Sequence, residues 1–67
     1  MEFKSIGQII AKARQTKNLT QSELAEKLNV SDKTIGNWEN NRNLPKLSIL
    51  KPLCNILNIK ITDLIDI

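Results

Sequence analysis

At 67 residues the chain has room for one compact domain with a single modest core. One cysteine and no histidine exclude an intramolecular disulfide and the usual Cys/His zinc site, and no apolar run approaches a membrane span. The formal charge of +3 is modest, and MEFKSIGQII lacks the form of a signal peptide, so a reducing, cytoplasmic setting is expected.

The first segment places Ile6, Ile9, Ile10 and Ala13 on one face of a helix. Ser5 followed by Gln8 has the spacing of a capping box, which predicts a start near Ser5, and TKN predicts an end near Lys17. The second segment opens with TQSE, where Thr20 and Glu23 can cap each other reciprocally. Leu24, Ala25 and Leu28 then predict a helix from Gln21 to Leu28, ended by Asn29 because asparagine tolerates the left-handed conformation. Ser31 caps a third helix whose apolar members, Ile35 and Trp38, are three apart and share a face. Asn40 and Asn41 are its expected stops. The loop RNLPK leads to a fourth segment rich in Leu and Ile, where Pro52 places the regular helix from Ser48 or later. Asn58 ends it, and Thr62 with Asp63 is expected to cap a last turn through Leu64 and Ile65. No strand alternation or repeat occurs, so the fold class is all-α: one domain over residues 1–67, built of five short helices.

Charge is unevenly spread. Lys4, Lys12, Arg14 and Lys17 against Glu2 leave residues 1–20 at +3, and Arg42, Lys46, Lys51 and Lys60 leave residues 40–60 at +4. Between them, Glu23, Glu26, Asp32 and Glu39 against Lys27 and Lys33 give −2. Such blocks suit ordinary solubility as well as a surface facing a polyanion.

Helices two and three are separated only by a tight junction, the geometry of a helix-turn-helix over about residues 21–40, and the small Ala25 suits a close approach. On a wheel of about 100° per residue, Thr34, Ile35 and Trp38 fall in one sector of helix three. Asp32, Lys33, Gly36, Asn37 and Asn40 fall in the opposite one. An exposed face is ordinarily filled with strong helix formers. Gly36 instead costs about 1 kcal/mol relative to alanine. Asparagine can pair with the adenine edge and lysine with guanine in a major groove that admits a helix, and a glycine between them permits close approach.

The run TQSELAEKLNVSDKTIGNWENNRNLP, with IGQIIAKARQTKNLTQ before it and LCNILNIKITDLI after it, resembles the Cro-like, phage-repressor-like family, also called the XRE family. The resemblance covers the chain from about Ile6 to Ile65. It implies a lambda-repressor-like fold and a sequence-specific regulator, a repressor that reads double-stranded DNA through helix three. Asp32, Lys33, Gly36 and Asn37 match base-facing positions. Gln21 matches a phosphate-binding glutamine, which suits the free amides of a helix N-terminus. Thr34 matches a small hydroxyl residue that packs inward or bonds phosphate, and Asn40, Arg42 and Asn43 match backbone contacts. Arg14 and Glu39 match a structural ion pair between helices one and three.

Departures from the family pattern are Asn29 and Asn41, where glycine is common, and Pro52. Asp32 either accepts from cytosine or complements the helix dipole as the first residue after the cap. Trp38 reads as core rather than a base-stacking aromatic, Cys54 as packing, and Lys12 and Lys17 as solvated lysines or sources of longer-range attraction. Palindromic operators and a homodimer follow from the regulator reading, with Ile65 and Ile67 of the tail as possible dimer contacts. No acid–base pair, nucleophile, cofactor motif, metal site or small-molecule ligand is evident, so catalysis is not expected. A protein-interaction module, as in an antirepressor or antitoxin, is the rival reading.

Overall fold

A computed structural model describes residues 5–64. Its elements are α1 (Ile6–Thr16), α2 (Gln21–Leu28), α3 (Asp32–Glu39), α4 (Leu47–Leu57) and α5 (Ile61–Leu64). No strand is present among the described residues. The expected tail contacts Ile65 and Ile67 lie outside them.

Helix starts are fixed by side chains. Ser5 Oγ accepts from the Gln8 amide at 3.2 Å, and Ser31 Oγ from the Thr34 amide at 3.1 Å. At α2 the box is complete: Thr20 Oγ1 accepts from the Glu23 amide at 3.0 Å and Glu23 Oε1 from the Thr20 amide at 2.8 Å. These bonds satisfy first-turn donors that have no carbonyl within the helix.

Four helix ends share one device. Asn18, Asn29, Asn41 and Asn58 all adopt left-handed backbone, with φ between 56° and 61°. In each case the next residue donates back across the turn: Leu19 to Arg14, Val30 to Ala25, Arg42 to Asn37 and Ile59 to Cys54, at 2.9–3.1 Å. This is the Schellman closure, in which asparagine takes the place usually held by glycine. Three of the four closures are followed by an apolar residue, Leu19, Val30 or Ile59, packed against the core. After α3 the same position is the exposed Arg42.

The core is Leu- and Ile-rich. Ile10, Leu24, Ile35 and Leu53 are fully buried, joined by Ala25, Trp38, Leu50, Cys54, Leu57 and Leu64. Trp38 is therefore a core residue. Burial pushes the Cys54 thiol above its ordinary pKa and keeps it protonated packing.

Two expectations are corrected. Helix α4 begins at Leu47, before Ser48, and runs through Pro52. The carbonyl that loses its partner belongs to Ser48, and both residues are exposed, so water can satisfy it while Leu50, Leu53, Cys54 and Leu57 stay buried behind. At α5 Thr62 lies within the helix rather than capping it. Asp63 Oδ2 reaches back to the Lys60 amide at 2.9 Å, so the carboxylate alone does the capping.

Candidate nucleic-acid interface

Helix α3 is held from three sides. Ile35 and Trp38 anchor its inner face in the core. Gly7 of α1 lets the helices touch, because a Cβ there would collide with the backbone carbonyls of Trp38 and Glu39. At the far end, Asn41 caps α1 in trans: its Oδ1 accepts from the Gly7 amide at 3.0 Å and its Nδ2 donates to Ser5 Oγ at 3.0 Å. Asn41 thus closes α3 and occupies a free amide of α1 together. Neither Gly7 nor this second role of Asn41 emerges from local sequence pattern.

The third hold is a carboxylate-centred network. Arg14 Nε donates to Glu39 Oε2 at 2.7 Å and Nη2 to Oε1 at 3.3 Å, while Nη1 donates to the Leu19 carbonyl at 2.7 Å. The two side chains are only 13% and 9% exposed, which shields the pair from solvent screening. Gln21 Nε2 joins them, donating to Glu39 Oε1 at 2.9 Å. One face of the Gln21 amide is therefore committed within the protein. Its Oε1 and the backbone amides of Gln21 and Ser22 remain at the open end of that helix, the Glu23 amide being taken by Thr20 Oγ1.

The outer face of α3 is open. Asp32 and Lys33 are exposed, Gly36 and Asn37 half-buried, and Asn40, Arg42 and Asn43 exposed. The Asn37 side chain forms no hydrogen bond among the described residues. Its carbonyl accepts from the Arg42 amide at 2.9 Å and the Asn43 amide at 3.4 Å, which folds the following loop back beside α3. Gly36 has no internal reason to be glycine. Its φ is not positive, and a Cβ there would meet only Gln21 Nε2, at 3.9 Å.

Asp32 lies at the first turn of α3, with Ser22 Oγ at 3.5 Å from its Oδ2. Thr34 is half-buried and its hydroxyl sits 2.8 Å from that of Ser31. Beside it, Asn43, Leu44, Lys46, Val30, Trp38 and Ile49 line a hollow of about 490 Å³. Lys46, counted above only as charge, belongs to this surface. It is the N-cap of α4, which has no side-chain cap and no acid in its first turn. A lysine there opposes the helix dipole, and that mismatch was the available signal. A second signal is Arg42 in the place where other closures carry an apolar residue. Among the described residues no helix is long and apolar enough to cross a membrane.

Residues 10–64 match the helix-turn-helix family. Multiprotein-bridging factor 1 of Candida albicans (strain SC5314 / ATCC MYA-2876) is 40% identical over 57 residues, 85% of this chain and 38% of that protein. The chain thus spans about two fifths of the length of that curated relative. The P22 c2 repressor, in complex with synthetic operator 9T, is similar with a TM-score of 0.85 and 25% identity, over 90% of this chain and 91% of that one. SinR, a master regulator for biofilm formation, in complex with DNA, gives a TM-score of 0.79 and 32% identity over 88% of this chain and 95% of that one. The chain, whose described residues form five helices in a lambda-repressor-like arrangement, therefore belongs to the phage-repressor-like (XRE) helix-turn-helix family of DNA-binding transcriptional regulators.

Proposed function

We propose that this chain is a sequence-specific repressor that inserts α3 into the major groove of an operator in double-stranded DNA. One observation carries the reading. A helix held from three sides leaves its outer face to Lys33, Gly36 and Asn37, and its glycine serves no contact inside the protein. A close-fitting groove accounts for that glycine, and the free Asn37 amide and Lys33 ammonium suit adenine and guanine edges. The Ser22 hydroxyl near Asp32 favours the dipole-complementing role for that carboxylate over a cytosine contact.

Phosphates on either side would position the helix without specifying sequence. On one flank the open amides of α2 and Gln21 take this part, as anions favour helix N-termini. On the other flank stand Thr34, Asn40, Arg42 and Asn43, with Lys46 added. The DNA complexes of the P22 c2 repressor and SinR support the reading. We further propose that a homodimer reads a palindrome whose half-sites lie roughly 34 Å apart.

Selection of bound duplexes from a random library tests this function. Enrichment of paired half-sites about one helical turn apart is the expected outcome, and a pool without any enriched motif contradicts it. The name of the Candida albicans relative, a multiprotein-bridging factor, favours a second reading as a protein-interaction module. Absence of any shift of random duplex at low salt would support that reading instead.

A further inference from the structure

Away from the interface, α1 presents a second face. Gly7, Ile10 and Arg14 lie toward α3 and the core, and Ile9, Lys12 and Thr16 fall about 180° away at 100° per residue. Along this outer face run two adjoining hollows of about 400 and 530 Å³, which share Ile9, Lys12 and Ile59. Neither includes a residue of α2 or α3, so the trough is separate from the DNA-facing surface. Its floor is half-buried Ile9, Ala13 and Ile59. Its rim carries Lys17 at one end, Lys12 where the two hollows meet and Asp63 at the other end. Lys12 and Lys17 form no ion pair among the described residues.

We propose that this trough binds an acidic amphipathic segment of a partner protein. The segment seats a large aliphatic side chain between Ile9 and Ile59 and places its carboxylates against Lys12 and Lys17. Charge complementarity selects this occupant. An apolar floor alone would accept any hydrophobic helix, but Lys12 at the middle and Lys17 at one end favour acids there, and Asp63 repels acids at the other end. The segment therefore binds in one direction, with its acidic end toward Lys17. Because α2 and α3 take no part, a partner held here leaves the reading helix free, and the chain can join that partner to DNA.

The test is a titration of the isotope-labelled chain with a synthetic amphipathic peptide bearing leucines four residues apart and three flanking glutamates, followed by amide NMR shifts. Saturable shifts are expected at Ile9, Lys12, Ala13, Lys17 and Ile59, with Lys33 and Asn37 unmoved. Lys12→Glu with Lys17→Glu should weaken binding roughly tenfold. Both positions are exposed, so the fold is retained, as circular dichroism would verify. A peptide with lysines in place of glutamates should bind the charge-reversed chain better than the original. The proposal is overturned by the lack of saturable shifts up to about 1 mM peptide, by shifts centred on α3, or by indifference to charge reversal. The same shifts on raising chain concentration without peptide would also overturn it, assigning the trough to a second copy.

Discussion

Glu39 accepts from residues of α1 and α2 while belonging to α3, so one carboxylate holds three helices in register. Removing it would leave a shielded guanidinium with only the Leu19 carbonyl and strand the Gln21 amide. Glu39→Ala should therefore cost about 3 kcal/mol of stability, read from the midpoint of urea unfolding at constant slope. A cost near zero would show that solvent replaces the network freely. The Arg14–Glu39 pair was accessible through family resemblance, because 25 residues separate its members. Gln21 entered as a phosphate ligand, and its bond to Glu39 was not legible from position alone. Asn41 makes the same point. Its tolerance of positive φ is a local property, whereas its bonds to Ser5 and Gly7 depend on how α1 meets the end of α3.

Two glycines in helices are expected to respond in opposite ways to alanine at the scale of elements. Gly7→Ala should destabilise the chain by about 2 kcal/mol, since its Cβ meets backbone that cannot step aside. Gly36→Ala should stabilise it by up to about 1 kcal/mol yet weaken operator binding. Thermal unfolding and operator titration on the same samples separate the two quantities. Equal operator affinity for Gly36→Ala would remove the argument that the glycine provides clearance. The α2 cap adds a pH dependence. Bonds from the Thr20 backbone and hydroxyl hold the Glu23 carboxyl below its ordinary value of 4.5. Its stabilising effect is therefore complete above that value and is lost as pH falls through the lower folded-state pKa. Glu23→Gln should flatten this part of the acid-unfolding profile, and an unchanged profile would count against the linkage. Caps and apolar spacing made α1, α2 and α3 readable from sequence. Helix α4 was less so, because the rule against interior proline is local, whereas an exposed Ser48 carbonyl and a buried opposite face decide the outcome.

For the whole molecule, a charge of +3 makes long-range attraction modest, so the placement of cations matters more than their number. Lys46→Ala should lower affinity for operator and random duplex alike and reduce the slope of log affinity against log salt by about 1 per subunit. An unchanged slope would remove Lys46 from the phosphate-facing surface. The helix-turn-helix itself was legible because its turn is short and its two capped helices are consecutive. The flanking loop was only partly legible, since Thr34, Asn43 and Lys46 meet through the fold rather than through spacing.

The most direct test of the proposed base-reading role of α3 is the affinity of Asn37→Ala for a selected operator and for random duplex, measured side by side in one buffer. Asn37 is half-buried with a free side chain, so truncation removes little from the fold. Operator binding should fall by about 1–3 kcal/mol while random-duplex binding changes far less. Unchanged operator affinity, or an equal loss on both duplexes, would contradict it.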